Sequence, residues 1–293
     1  MSKIYEALKK AEREQAAEKT TNGISSEHAM PDSAPGALVE SRAPEEQRII
    51  RNAPSSAPKE HTPGLLRCDG QPNRATDEFQ VLSILVQELA IEKNQRVVLI
   101  SSSMPNEGKS FVSLNLAASL ARLGNSVTLI DGDLRTPTLD TAFKITRNTG
   151  LLGYLLGKAD LASCVSKTSI PGLQLVTTGG STNSASELFA GSGMRSFLAA
   201  VKRADPSGLI LMDSAPILAA SETRILAAMA DALIVVVGAN QTPRATVSRA
   251  LAMVKDIPLL GLVLNRFEPP YSRRIEYGYG YTAGAPGLHS GPA

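Results

Sequence analysis

The chain has 293 residues, enough for one large core or two small ones. Its 30 Lys and Arg nearly balance 28 Asp and Glu, a formal charge of +2, which removes any general electrostatic ground for a nucleic-acid partner. Cys68 and Cys164 lie far apart and form no C-x-x-C, so neither a disulfide framework nor a zinc site is suggested, and a reducing cytoplasm fits.

In chain order the first expected element is a helix within residues 1–19, "SKIYEALKKAEREQAAEK", dense in helix formers, with Ser2 as its N-cap and Ile4 and Leu8 one turn apart. Its apolar stripe is thin, which suits either a solvated terminal helix or docking on a partner or membrane surface. The opening has no signal-peptide core, and no apolar run reaches the roughly 18 residues that span a bilayer, so membrane association would come through a partner or a surface helix. Residues 20–74 hold seven prolines between Pro31 and Pro72, much Ser and Ala and little apolar periodicity, and read as a disordered linker.

Order is expected from 75 to 268. Phe79, Leu82, Val86 and Leu89 keep helical spacing in "DEFQVLSILVQELAIEK". Strand-like runs follow at 96–101, 126–131, 173–178, 208–213, 232–238 and 260–265, and helix-like stretches at 109–123, about 187–203, 218–229 and 243–255 separate most of them. Near-continuous apolar strands divided by helices predict a doubly wound α/β fold with a mostly parallel sheet covered on both faces. Ligands of such sheets bind beyond the carboxyl ends of the strands.

The unusual residues gather at those ends. After the first run comes "SSSMPNEGKS", which ends as a P-loop does, with Gly108, Lys109 and Ser110, but carries Ser103 where the pattern G-x-x-x-x-G-K-[ST] opens on glycine. A turn of Pro105, Asn106 and Gly108 followed by a helix places backbone N–H groups around phosphate, with the lysine as a point charge and the serine hydroxyl as a Mg²⁺ ligand. Asn106 tolerates the left-handed backbone that such a curl needs. The second run ends in "TLIDGDLR", which puts Asp131 and Asp133 on one side of an extended segment, where they repel unless a cation lies beside them. The fourth run, "LILMDSAP", delivers Asp213 to the same edge, as a Walker B aspartate that organises Mg²⁺ or, more plainly, as the N-cap of the next helix. The last run ends in "LVLNRFE", where Asn265 could read a base edge; with Glu268 the segment is similar to the guanine-reading N-K-x-D pattern, so GTP stays open beside ATP. Beyond it, residues 269–293 form an expected flexible tail. Tyr271, Tyr277, Tyr279 and Tyr281, four of the six tyrosines, lie there among glycines as accessible hydroxyls or as aromatic stickers.

Together these residues resemble the bacterial tyrosine kinases of capsule and exopolysaccharide production, the BY-kinases. The match covers the loop P-N-E-G-K-S, a Walker A′ segment L-I-D-G-D-L-R, a Walker B segment L-M-D-S-A-P and the tyrosine-rich tail, and in that family the opening glycine of the loop is often missing. The resemblance implies ATP and Mg²⁺ as cofactors, with Lys109 on the phosphates, Ser110, Asp131 and Asp213 around the metal, and Asp131 or Asp133 as base toward the tyrosine hydroxyl. Nucleotide contacts would run from Pro105, Asn106 and Glu107 through Gly108, Lys109 and Ser110 to Phe111, with Arg135, Asn265 and Arg266 beyond. It implies the tail tyrosines as phosphorylation sites. Its partners would be a membrane-embedded polysaccharide co-polymerase, other copies of the chain and a phosphotyrosine phosphatase, but no nucleic acid. The opening "SKIYEALKKAE" resembles the leader of family members without a fused membrane segment, which implies a cytoplasmic chain recruited to the inner face of the plasma membrane. The family's arginines three and six residues after a glutamate, used in ring-like self-assembly, are absent: the matching positions hold Asp77, Gln80 and Ser83.

Two other readings compete with the kinase. Partitioning or cell-positioning ATPases share the fold and carry an early lysine in K-G-G-x-G-K, where this chain has Met104. A nucleotide-binding scaffold without catalysis would have no need of Asp131, Asp133 and Asp213 at one sheet edge.

Overall fold

The computed structural model describes residues 64–66, 74–143 and 149–267. The helix expected within 1–19, nearly all of the linker, Glu268 and the tyrosine cluster lie outside the described residues.

Helix α1 (Arg74–Glu92) carries no Gly or Pro and ends before β1 (Val97–Ser102), a fully buried strand. The chain continues through α2 (Lys109–Arg122), β2 (Val127–Asp131), three short helices α3 (Leu139–Phe143), α4 (Gly150–Leu155) and α5 (Leu161–Cys164), and strands β3 (Val165–Lys167) and β4 (Leu173–Val176). Helices α6 (Ala185–Ala190) and α7 (Ser192–Ala204) lead to β5 (Leu209–Asp213), α8 (Ser221–Ala227), β6 (Ala232–Gly238), α9 (Arg244–Met253) and β7 (Leu259–Asn265).

The seven strands form one sheet in the order β3-β4-β2-β5-β1-β6-β7, parallel throughout except for the antiparallel pair β3–β4. Each parallel step needs a crossover, and the helices supply it while covering both faces. Alternation along β1 sorts the core: Val97 and Leu99 join Met194, Phe197 and Val201 of α7, while Val98 and Ile100 join Leu114, Leu116 and Leu120 of α2 on the other face. Removing each such side chain from water contributes roughly 1.5–3 kcal/mol before the entropy of ordering is counted.

The doubly wound fold expected from the sequence is the fold observed, with two refinements. The helix expected over 187–203 is two helices, because Gly191 takes an extended conformation (φ −66°, ψ 175°) between them. The antiparallel edge strand β3 and the short helices α3, α4 and α5 were not expected, since none is long enough to establish a period.

Helix α1 is fixed to α2 by more than apolar contact. Ser83, at one of the positions where the family's arginines are missing, is fully buried, donates to the Gln80 carbonyl at 2.7 Å and shares a 3.0 Å hydrogen bond with Ser119 of α2. Farther along α2, the Asn115 side chain donates to the Gly64 and Phe111 carbonyls (2.8 and 2.9 Å) and accepts from Leu66 N–H at 2.8 Å, so it pins residues 64–66 against the domain.

Candidate active site

The strand order decides what meets what. Because β5 runs between β1 and β2, the carboxyl ends of these three strands are neighbours, and Asp131 and Asp213 are paired in register. Gly132 permits the crossing that follows: its N–H donates to the Asp213 carbonyl at 2.8 Å, and a Cβ there would come within 2.7 Å of that oxygen.

The loop after β1 curls at two left-handed residues, Asn106 (φ 64°) and Gly108 (φ 88°), the second directly before α2. Ser103, in the place of the missing glycine, is not among the residues with positive φ, so an ordinary L-residue occupies it without strain. The unusual start of the motif is therefore compatible with a phosphate loop.

Lys109 projects from the first turn of α2 into the acidic rim, with its Nζ 3.2 Å from Asp133 Oδ2, 3.9 Å from Asp213 Oδ2 and 3.2 Å from Ser110 Oγ. Burial alone lowers the affinity of its amine for a proton, but Asp213, Asp133 and Asp131 outweigh it and leave the pKa above the usual lysine value. Asp131 is completely buried. Burial first and the nearby Asp213 second push its carboxyl up to about 7, against the N–H groups of Leu139 (3.1 Å), Asp133 (3.1 Å) and Thr138 (3.2 Å), which favour the charged form. Asp213 is also raised, by burial, against the opposing effect of Lys109, Ser110 and Ser113; Ser113 Oγ donates to its Oδ1 at 3.1 Å. Asp213 Oδ2 is buried with no hydrogen-bond partner. Helix α8 starts at Ser221 after Ala220, so Asp213 caps no helix.

An oxygen-only set of one hydroxyl and several carboxylates, with one buried carboxylate oxygen lacking a donor, suits a hard cation such as Mg²⁺. Among the described residues no three His, Cys, Asp or Glu side chains converge as a finished cage. That also suits Mg²⁺, which typically takes one or two carboxylates and completes its shell with water and substrate phosphates.

A cleft of about 520 Å³ opens above this rim, within the range of small-molecule sites. Among the residues expected to bind nucleotide, Pro105, Asn106, Gly108, Lys109, Ser110, Phe111, Arg135 and Arg266 line it, as does Asp133. Arg135 is 43% exposed and forms a two-point ion pair with buried Glu222, which Ser186 also holds at 3.1 Å. Burial works against ionising Glu222, but Arg135 and Ser186 help hold its pKa below the ordinary value. The Phe111 ring meets Phe79 of α1 edge to face at 5.8 Å. Glu107 and Asn265 stand behind the cleft. Glu107 is 2% exposed, and Asn265 Nδ2 donates to its carbonyl at 2.8 Å.

Sequence reasoning missed Ser113, Glu222 and the wall of Ala215, Pro216, Ala219 and Ala220. For Glu222 no local signal exists, because its partner lies 87 positions away. The wall was legible in part, as it begins in the same D-S-A-P that delivers Asp213.

Comparison with known proteins agrees with this geometry. Residues 98–280 match the family model of the CobQ/CobB/MinD/ParA nucleotide binding domain. The tyrosine-protein kinase YwqD of Bacillus subtilis is 30% identical over 207 residues, covering 70% of this chain and 85% of that protein. The crystal structure of the VpsO kinase domain superposes with a TM-score of 0.60 at 31% identity, over 66% of this chain and 97% of that one. The kinase domain of the Escherichia coli tyrosine kinase ETK gives 0.64 at 25% identity, over 74% and 88%. A P-loop domain with three aspartates at one rim, matched along most of a tyrosine kinase's length, identifies the chain as a tyrosine-protein kinase of the bacterial BY-kinase family.

Proposed function

We propose that the chain transfers the γ-phosphoryl group of ATP to tyrosines of its own terminal cluster, Tyr271, Tyr277, Tyr279 and Tyr281, in a second copy, and so regulates exopolysaccharide or capsule polymerisation and export. The observation that carries the reading is the convergence of the Lys109 ammonium with Asp131, Asp133 and Asp213 at one strand edge. Phosphoryl transfer is largely a matter of positioning and charge neutralisation, and these are the groups it needs.

In this reading the loop from Pro105 to Phe111 cradles the phosphates with its backbone N–H groups, and Lys109 turns from the carboxylates to the phosphate oxygens. Arg135 and Arg266 flank the nucleotide, and Asn265 supports the loop from behind. Mg²⁺, when held by Ser110, Asp131 and Asp213, would neutralise charge on the β- and γ-phosphate oxygens. The tyrosine oxygen forms the new P–O bond, the bond to ADP breaks, and the phenolic proton passes to Asp131 or Asp133. Burial and Asp213 push the Asp131 carboxyl up to about 7 in the metal-free site, and Mg²⁺ beside it would favour the charged form that can accept a proton.

The same reading places the chain in the cytoplasm, at the inner face of the plasma membrane. It is brought there by a membrane-embedded co-polymerase and reset by a phosphotyrosine phosphatase. Among the described residues no helix is long and apolar enough to cross a membrane.

A mixing experiment tests both transfer and its direction. A Lys109→Ala chain with an intact tail is incubated with γ-labelled ATP, Mg²⁺ and an active chain truncated after residue 268. Label on the Lys109→Ala chain is expected, and alone that variant should label at least about a hundredfold more slowly than wild type. Steady phosphate release with no labelled tail, with or without a co-polymerase domain, would favour an ATPase switch instead.

A further inference from the structure

Glu107 was expected on the nucleotide side of the loop, yet it points into the protein. Its Oε2 accepts from Met104 N–H at 2.6 Å, across the first half of the phosphate loop. Its Oε1 accepts from Gly238 N–H at 3.0 Å and from the Thr242 hydroxyl. Gly238 ends β6, and Thr242 precedes α9. The backbone carbonyl of the same residue takes the amide of Asn265, the last residue of β7. One buried residue thus ties the loop to itself and to the tips of two strands on the side of the sheet away from the aspartates.

The tie is tight where it matters. Gly108 follows in the left-handed conformation, and a Cβ on it would lie 2.1 Å from Asn265 Nδ2, so the clamp closes directly over the residue that turns the chain into α2 and aims Lys109. All three partners of the carboxylate act as donors here, and two of them are main-chain N–H groups that can do nothing else. The site therefore requires two acceptor oxygens. Glutamine would set an NH₂ against Met104 N–H or Gly238 N–H in either orientation of its amide.

We infer that Glu107 is a positioning residue of the kinase: without touching nucleotide, its buried carboxylate locks the phosphate loop to the ends of β6 and β7 and holds the loop ready for the triphosphate. The inference rests on the reading of the cleft as the nucleotide site.

The test measures Mg-ATP affinity by calorimetric titration of the full chain, together with the melting temperature. For Glu107→Gln the dissociation constant is expected to rise roughly tenfold to a hundredfold, the equivalent of one buried hydrogen bond lost and a donor left unpaired. The melting temperature should fall by several degrees, since the same buried groups lose their partner in the free protein, while the chain stays folded at the assay temperature. A saturated variant should recover most of its rate, so the loss falls on KM more than on kcat. Glu107→Asp keeps both acceptors with shorter reach and should restore part of the affinity. A folded Glu107→Gln chain that binds Mg-ATP as tightly as wild type overturns the inference, as does a loss that only tracks the fraction unfolded. If Glu107→Gln does not fold, Thr242→Val removes one donor from outside the loop and should weaken binding about threefold or more; unchanged affinity there overturns the inference equally. Failure of wild type to bind Mg-ATP would instead sink the reading of the cleft.

Discussion

Asp131 gathers several of the site's competing forces in one side chain. It is fully buried beside Asp213, and both effects oppose ionisation, while three backbone N–H groups favour it; the balance leaves its carboxyl near 7 instead of 3.8. An acid whose folded pKa lies above its unfolded value supports the fold below the unfolded value and loses that support as pH rises through the folded one. The relevant window runs from about 4 to about 7. Without nucleotide, the melting temperature of wild type should therefore fall across this window relative to Asp131→Asn, which keeps the shape and cannot ionise. Parallel melting profiles for the two proteins would show that the Asp131 carboxyl titrates normally.

The residue types of the rim were plain in the sequence, because each aspartate stands at the end of an apolar run and the lysine follows a turn. What each side chain touches was not plain. Glu107 reads as part of a phosphate loop and in the fold faces Gly238 and Thr242, more than a hundred positions away. Spacing along a loop says nothing about a partner on another strand.

At the scale of elements, α2 links the site to the segment before the domain. Its Asn115 offers a carboxamide that both donates and accepts, and it holds Leu66 N–H and the Gly64 carbonyl at once. Leu65 packs against the same core, and the Asn115 amide that holds the Gly64 carbonyl also donates to the carbonyl of Phe111, which lines the cleft. Replacing Asn115 by Ala should cost about 0.5–1.5 kcal/mol of stability, because the part-buried hydrogen bonds to Leu66 N–H and the Gly64 carbonyl are lost. Limited proteolysis near residue 65 should also speed up in the variant. Unchanged melting and unchanged cleavage would mean that this segment is held by its apolar contacts alone. Helix α1 illustrates what periodicity can and cannot deliver. Its existence was legible from Phe79, Leu82, Val86 and Leu89, but Ser83 stood out only as a position without the family's arginine, and nothing in the spacing announced that it packs inward against Ser119. The helix contributes core at that position and offers no charge there for ring-like self-assembly.

For the whole molecule, alternating strands and helices announced a parallel doubly wound sheet, and that is the architecture. The order of its strands was not announced. Insertion of β5 between β1 and β2 brings Asp213 beside both Lys109 and Asp131, and it depends on pairings between segments about 80 and 110 residues apart, which hydrophobic pattern does not encode. The antiparallel β3 escaped notice for the opposite reason, since three residues are too few to carry a period. Family membership then follows from the whole arrangement more than from any one motif: the loop has Ser103 where the pattern opens on glycine, yet it curls through Asn106 and Gly108 and sets Lys109 beside Asp133 and Asp213.

The most direct measurement is mass spectrometry of the full chain after incubation with Mg²⁺ and ATP, beside an Asp213→Asn chain treated alike. Phosphate should appear on one or more of Tyr271, Tyr277, Tyr279 and Tyr281 in the wild type and fall by at least about a hundredfold in rate in the variant. A wild-type chain that binds ATP and turns it over while these four tyrosines stay unmodified would contradict the account.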